Sequence, residues 1–409
     1  MMTAPALRVS FDGSQGGLLS ARLDLPAAPA VAYALFAHCF TCSKDVVAAS
    51  RVAAGLTRHG IGVLRFDFTG LGSSDGEFAH TNFSSNLDDL RRAAAWLTEH
   101  HRAPQLLVGH SLGGAAVLAV AADLPSVQAV ATIGAPSDVR HVERLLGDQL
   151  PLIESHGEAE VQLAGRSFKI CRQFVEDLRS VPLAERVAAL HRALLILHSP
   201  VDQIVGIDHA AAIFGAARHP KSFVALDAAD HLLTRRTDSD FAASVIGSWA
   251  HRYLHDESGA APAPAPTAQA VVAETTQGPY LNHVVVGSHQ FLVDEPESIG
   301  GFDAGPAPYD LLSSALGACT SMTLRMYANR KKLPLDRVSV EVQHGKVHAD
   351  DCAECAEGRV GLIDRFERVV HLTGDLTDEQ RAALLAIANK CPVHRTLEAS
   401  SVISTRLGD

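Results

Sequence analysis

Hydrophobic positions follow one regime up to about residue 255 and another beyond it. Residues 7–25 alternate apolar and polar closely enough to predict a hairpin, Leu7–Phe11 and then Leu18–Leu25 after Gly16-Gly17. Ala32–Ala37 is a continuous apolar run, the pattern of a strand buried on both faces. A helix is predicted over Val46–His59. The next strand, Gly62–Phe68, runs into a Gly/Ser turn at residues 69–76. Asn86–His100 carries Leu87, Leu90, Ala94 and Leu97 at helical spacing. Leu106–Val108 reads as the end of another buried strand, and a helix-like run, Ala115–Asp123, follows closely. Further strands are expected at Ala129–Ile133, Ala193–His198 and Phe223–Leu226, with a closing helix over Asp238–Leu254. Strands alternating with helices predict a mostly parallel sheet with right-handed crossovers. Residues 138–190 interrupt the alternation. They read as mostly helical and charged, and are expected to form a small lid over the strands' C-terminal edge rather than surface helices alone. Leu145, Leu146, Phe168, Ile170, Phe174 and Val175 would line its pocket.

The second regime begins after an Ala/Pro stretch at residues 260–268, where the prolines forbid helix and favour an extended linker. The domains are therefore expected at 1–255 and 273–409, joined by a linker over 256–272. Glu274–Gly287 and Gln290–Asp294 alternate toward strands, and a Gly/Pro-rich loop fills residues 300–308. Tyr309–Lys332 predicts one long helix, uncharged from Leu311 until Arg325, with its first four turns buried. Strands follow at Val338–Val347 and Phe366–Leu372. A helix capped by Thr377 runs to about Asn389. Pro392 suits the first turn of a short helix, and Val402–Leu407 is expected to close as a strand. This half is α+β.

Composition narrows the function. The chain has 409 residues, enough for two or three domains, and 47% of them are hydrophobic, enough for real cores. A net charge of −11 argues against nucleic acid or an anionic membrane as partner. No apolar run approaches the ~18 residues of a membrane span, and Met1–Val9 lacks the features of a signal peptide. Seven cysteines in this length fit a reducing compartment, so a cytoplasmic location is expected.

Gly109-His110-Ser111-Leu112-Gly113 matches Gly-x-Ser-x-Gly between a strand and a helix. The turn is sharp, and small residues on either side of Ser111 let it bend. It presents the Ser111 hydroxyl at the top of a sheet, with backbone N–H groups aimed at developing negative charge. A serine nucleophile needs a base and an orienting acid. Asp202 lies just after the strand at Ala193–His198, and His231 just after Phe223–Leu226. Asp230 is the rival acid, but an immediate neighbour rarely points at its own histidine's ring. The oxyanion donors are expected at the N–H groups of Leu112 and of Phe40, in the loop His38-Cys39-Phe40-Thr41. Cys39 and Cys42 form a Cys-x-x-Cys, a spacing shared by redox and metal sites. Cys39 sits where a small residue eases the turn, so both are expected as free thiols.

Over roughly residues 5–255 these features resemble the α/β-hydrolase family. The resemblance rests on the elbow, the His38 loop, the turn from Asp67 to Ser74, and Asp202 and His231. It implies an α/β hydrolase fold, a mostly parallel sheet with a short helical lid, acting by nucleophilic acyl transfer. A carboxylic ester with a short acyl group leads as substrate; a lid tuned to peptides is a weaker alternative. Cys39 departs from the glycine usual after the loop histidine. No cofactor and no metal are expected.

Cys319 falls mid-helix and Cys391 at the start of a short helix, where the helix dipole would favour thiolate. Residues 280–407 resemble the OsmC family of osmotically inducible and organic-hydroperoxide-resistance proteins. The matching segments are residues 305–312, Leu316-Gly317-Ala318-Cys319-Thr320 and Cys391-Pro392-Val393-His394. The family implies an intertwined homodimer. Its peroxidase members imply Cys319 as the attacking thiol on an organic hydroperoxide and Cys391 as the resolving thiol, with a thiol reductant restoring both. Two departures count against this chemistry. Tyr309, followed by Asp310, stands where those members carry a glutamate. No Arg or Lys occurs between Arg252 and Arg325, so stabilising charge must come from His283, His289, Arg395 or a partner subunit. The competing reading makes this half a dimerisation or ligand-binding scaffold. A second Cys-x-x-Cys, Cys352 and Cys355, could join His344 or His348 in half a zinc site or form a local disulfide.

Overall fold

The computed structural model describes residues 6–26, 29–163, 165–254, 270–275, 278–348, 361–399 and 401–407. They divide into two compact units, Met1–Leu292 and Val293–Asp409. The division falls one residue before the end of the strands at 270–293.

In the first unit the chain runs β1 (Ala6–Asp12), β2 (Leu18–Asp24), β3 (Ala32–Ala37), α1 (Val47–Thr57), β4 (Ile61–Phe66), α2 (Phe83–His100), β5 (Leu106–His110), α3 (Leu112–Val120) and β6 (Ala129–Ile133). The interruption holds α4 (Glu143–Leu146), α5 (Leu150–His156), β7 (Glu158–Leu163), β8 (Arg166–Cys171), α6 (Arg172–Ser180) and α7 (Leu183–Ala188). It is followed by β9 (Ala193–His198), α8 (Ile207–Ala216), β10 (Lys221–Ala225) and α9 (Arg236–Ala250). Eight strands make one sheet in the order β1-β2-β4-β3-β5-β6-β9-β10. Only β1 and β2 run antiparallel to their neighbours; the other pairs are parallel.

The sheet is covered on both sides, which is why its central strands read as unbroken apolar runs. Phe36, Val63, Val108, Ala131 and Leu195 pack with Val52 and Leu56 of α1 and with Ala243 and Ile246 of α9. The alternate residues Leu35, Leu64, Leu107, Val130 and Leu194 are equally buried on the other side. Each such leucine or phenylalanine contributes about 1.5–3 kcal/mol. The topology also fixes where a site can form. From β3 the chain crosses to β4 on one side, while β5 lies on the other, with Ala37 paired to Gly109. The loops after β3 and β5 therefore part at a topological switch point, the place where α/β sheets open a crevice.

Two elements differ from expectation here. Residues 158–171 form an antiparallel hairpin, Glu158↔Cys171 to Leu163↔Arg166, not helix. Val161, Leu163, Phe168 and Ile170 are buried at period 2 while Gln162 and Lys169 between them face out. Helix α8 was not anticipated. The first unit also contains a three-stranded sheet, β11 (Ala270–Glu274), β12 (Asn282–Val286) and β13 (His289–Val293, its last residue past the division).

The second unit is built on α10 (Pro308–Lys331), β14 (Arg337–His348), β15 (Leu362–Thr373), α11 (Asp378–Ala388) and α12 (Pro392–Glu398). β14 and β15 pair antiparallel along their full length, Arg337↔Thr373 to His348↔Leu362. Thr377 caps α11, accepting from the Gln380 amide while the Gln380 side chain reaches back. A small core joins Leu324 and Ala328 of α10 to Leu335, Leu384 and Ala388. Helix α10 is not buried through its first four turns, as expected, but along one stripe that includes Leu316, Thr320 and Leu324. Leu312, Met322 and Met326 are exposed. Nor do residues 402–407 form a strand. Val402, Ile403 and Leu407 are almost fully exposed, and a strand exists only as part of a ladder. Among the described residues, no helix is long and apolar enough to cross a membrane.

Candidate active site

Ser111 sits between β5 and α3 with φ +54°, a left-handed conformation that a non-glycine residue adopts at a cost of order 1–3 kcal/mol. Its amide donates to the Ile133 carbonyl at 2.8 Å, tying the turn to β6. The turn is possible because Gly109 and Gly113 have no side chains. A Cβ on Gly109 would lie 2.3 Å from the Gly113 carbonyl oxygen, and one on Gly113 2.3 Å from that of Ala37. That second contact draws the loop after β3 against the first turn of α3, bringing Phe40 and Leu112 to one cavity.

The three residues expected at separate strand ends are brought together. The Ser111 hydroxyl lies 2.9 Å from His231 Nε2, and His231 Nδ1 donates to Asp202 Oδ2 at 2.7 Å. Asp202 Oδ1 accepts the amides of Ile204 (2.8 Å) and Val205 (3.0 Å). Burial works against the Asp202 charge, but the His231 N–H and these two amides outweigh it and hold the carboxyl below its usual range. Asp230 is turned elsewhere: it accepts the amide and the hydroxyl of Thr234.

Two further histidines frame this line. His110 donates from Nε2 to the His231 carbonyl at 2.6 Å, fixing the backbone that carries the ring. Full burial drives its pKa down to about 4, with the neighbouring His231 acting the same way, so it is neutral near pH 7. His198 donates to the Val205 carbonyl at 2.7 Å, bracing the loop that carries Asp202.

The lid supplies aromatic walls. Phe40 stacks on Phe174 of α6 (5.6 Å between centroids) and meets Phe78, which packs edge-on against Phe168 of β8 (5.1 Å). Arg166 lies over the Phe168 ring and donates to the Thr41 carbonyl, clamping the hairpin to the loop. Beneath these rings is a cavity of about 10 Å³, lined by Phe40, Phe68, Leu71, Phe78 and Leu112 among others. That is room for about one water.

Cys39 and Cys42, expected as free thiols, are joined as a disulfide. Their spacing permits either state, and the turn that carries them, closed by the Cys42 amide on the Cys39 carbonyl, brings the two sulfurs together.

In the second unit Cys391 is buried at the start of α12, and its sulfur accepts the His394 amide at 3.3 Å. The Thr320 hydroxyl lies 3.6 Å from that sulfur. Arg368 donates to the same hydroxyl at 2.7 Å, and also to the Ala388 carbonyl and the Asn389 side chain. Burial raises the Cys391 pKa, but the His394 amide, Thr320, Cys319 and the Arg368 charge together bring it below the ordinary thiol value. Cys319 is a half-buried free thiol on α10.

The charge sought from His283, His289, Arg395 or a partner subunit was for Cys319; the cation the structure brings into this cluster is Arg368, which acts on Cys391 and which sequence reasoning missed. It had left a signal. Phe366, Arg368, Val370 and Leu372 share the inward face of β15, and an arginine among apolar residues at period 2 asks for a buried partner. Tyr309 stacks on His344 at 4.1 Å, and Asp310 caps α10 by accepting the Ala307 amide, so neither stands in for the glutamate. His344 bonds Asp364. Cys352 and Cys355 lie outside the described residues. No group of three or more potential metal ligands occurs among those described.

Residues 43–152 match the family described as serine aminopeptidase, S33, and residues 301–406 match the OsmC-like proteins. The esterase domain of a Rhodothermus marinus protein is 53% identical, with a TM-score of 0.52, over 61% of this chain and 99% of that domain. The chain joins an α/β-hydrolase domain to an OsmC-like domain. The hydrolase domain shares its fold with Est1E of Butyrivibrio proteoclasticus, solved with ferulic acid bound (19% identity, TM-score 0.54, 60% of this chain and 99% of that one). Palmitoyl-protein thioesterase ABHD10, mitochondrial, of Rattus norvegicus is 30% identical over 138 residues, 34% of this chain. The match spans 43% of that relative's length.

Proposed function

We propose that the hydrolase domain cleaves carboxylic esters through an acyl-enzyme on Ser111. The observation that carries this reading is the continuous line from Ser111 Oγ to His231 to Asp202 at 2.9 and 2.7 Å. His231 accepts the Ser111 proton as Oγ attacks the ester carbonyl. The N–H groups of Phe40 and Leu112 stabilise the oxyanion, each donor contributing about 10²–10³ in rate. Collapse expels the alcohol, protonated by His231, and water then releases the acid by the same path. The small cavity beside Leu112 favours a short acyl group. The 53% identical esterase domain supports the ester class; the thioesterase relative makes thioesters the first variant to try. Ser111→Ala should abolish turnover of short p-nitrophenyl esters, and unchanged turnover would sink the reading. A panel of acyl lengths, with an aminopeptidase substrate beside it, sorts esters from peptides.

The OsmC-like domain, bounded in our reading by the 256–272 linker, is proposed as a thiol peroxidase. Cys319 attacks the hydroperoxide O–O bond, giving a sulfenic acid and an alcohol. Cys391 displaces water to form the disulfide, and a thiol reductant returns both sulfurs to thiols. Arg368 beside Cys391 supports this. The rival scaffold reading draws on the exposed stripe Leu312, Ala315, Met322 and Met326, spaced as a dimer-forming helix face. Consumption of two thiols per organic hydroperoxide, lost in Cys319→Ser, supports the first; no consumption leaves a homodimerisation scaffold. We propose a cytoplasmic location, which would supply the thiol reductant that the peroxidase reading needs.

A further inference from the structure

We propose that Cys39 and Cys42 are a dithiol–disulfide site that sets the oxyanion hole, so that their redox state controls hydrolysis at Ser111. This rests on the hydrolase reading above. The disulfide closes a loop of four residues, Cys39-Phe40-Thr41-Cys42. Within it lies Phe40, the residue whose N–H serves the oxyanion and whose ring walls the acyl pocket.

The loop is held in a shape it would not keep unaided. Thr41 has φ +62°, a sparsely populated region for a branched residue. One hydrogen bond, from the Cys42 amide to the Cys39 carbonyl at 3.1 Å, spans the same turn, and the other restraints lie outside the ring or at its edges. His38 Nδ1 donates to the Cys39 carbonyl at 2.8 Å, Arg166 of the lid holds the Thr41 carbonyl, and the Lys44 amide donates to Asp67 Oδ1 at 2.6 Å. These three act on the flanks of the turn, and across it one neutral hydrogen bond is a modest hold beside a covalent link, so the disulfide is what fixes the rotation of the Phe40 peptide. Opening the bond lets Thr41 relax toward ordinary dihedrals and turns the Phe40 N–H away from the oxyanion. Leu112 stays in place, since it belongs to α3.

The sulfurs are also positioned for exchange. Cys39 is buried, while Cys42 is half-exposed, so a dithiol reductant attacks Cys42. Its thiolate forms a mixed disulfide with the Cys42 sulfur as the S–S bond breaks, and Cys39 leaves and takes up a proton. The reductant's second thiol then displaces Cys42. Two electrons pass to the protein, giving two protein thiols and one oxidised reductant.

The test uses the full chain in two states, oxidised and treated with dithiothreitol, with the thiols at 39 and 42 counted by alkylation and peptide mass. Reduction should lower kcat for p-nitrophenyl acetate by about 100-fold, the lower end of the range for losing one oxyanion donor, with KM little changed. Reoxidation by oxidised dithiothreitol should restore it. Cys42→Ser should show the low kcat and no response to dithiol. Equal kcat in the two states, with both thiols shown to be open, overturns the proposal while leaving the hydrolase reading intact. A dithiol response that persists in Cys42→Ser also overturns it, since the effect then belongs to another cysteine. If Cys42→Ser fails to fold, the wild-type comparison decides alone. Absence of turnover by the untreated chain on every ester overturns the hydrolase reading and this one with it.

Discussion

Replacing Asp202 by asparagine removes one charge and leaves nearly every contact in place, which makes it a sharp probe of the proposed mechanism. The asparagine oxygen can still accept the Ile204 and Val205 amides that Oδ1 accepts now. Its NH₂ must then face His231 Nδ1, 2.7 Å from the present Oδ2. Two N–H groups cannot point at each other, so the ring takes the other tautomer, with Nδ1 bare and the proton on Nε2. That nitrogen lies 2.9 Å from Ser111 Oγ and can no longer accept its proton. Loss of the correct tautomer with geometry intact costs about 10⁴ in kcat where it has been isolated in serine enzymes, or about 5.5 kcal/mol of barrier. Stability should fall by only about 1.5–3 kcal/mol, the value of one charge-assisted hydrogen bond. The assay is kcat on a short p-nitrophenyl ester, with urea unfolding to show that the variant folds. Asp230→Asn is the control and should stay near wild type, because Asp230 bonds only Thr234 and its own turn. An Asp202→Asn enzyme that keeps more than about a tenth of wild-type kcat would refute the assignment of Asp202, and an inactive Asp230→Asn would name its rival.

Other expectations follow from the same geometry. His110 has its pKa held at about 4 in the folded chain against 6.5 when free, so the unfolded chain binds the proton first as pH drops. Stability should decline as pH falls from 6.5 to about 4, by up to about 3 kcal/mol, and His110→Gln should flatten that slope in urea titrations; an unchanged slope contradicts the assignment. Gly113→Ala places a methyl 2.3 Å from the Ala37 carbonyl; it should push the Phe40 loop away and lower kcat by about 10²-fold, measured beside a circular dichroism check of fold. Arg368→Leu removes the charge near Cys391 and the anchor of Thr320. The ultraviolet thiolate absorbance that Cys391→Ser abolishes should then move to higher pH, and no movement would exclude Arg368 as a stabiliser of that thiol.

How much of this was legible depends on what each residue does locally. Ser111, Asp202 and His231 could be read because the first two follow apolar runs that can only be buried strands and the third follows the short apolar edge strand β10, and strand ends in a parallel sheet share one edge. The sheet itself was legible for the same reason. The hairpin at Glu158–Cys171 was not: its four buried residues are matched by four charges, and the flanking α5 and α6 made the whole segment look helical. Helix α10 was read as buried because it is nearly uncharged, but composition does not say which face has a neighbour within the chain. Arg368 and Cys391 lie on separate elements, and only Thr320 of α10, bonded to Arg368 and set against the Cys391 sulfur, links them. The state of Cys39 and Cys42 could not be read, since spacing alone serves thiols, a disulfide or half a metal site equally.

The most direct test of the central claim is covalent. A fluorophosphonate, which phosphonylates an activated serine and occupies the oxyanion hole, should add once per chain, on the peptide that contains Ser111, with loss of ester turnover in proportion to the adduct. Ser111→Ala should take up none. An adduct on any other residue, or full turnover by a chain whose Ser111 is blocked, would contradict the account.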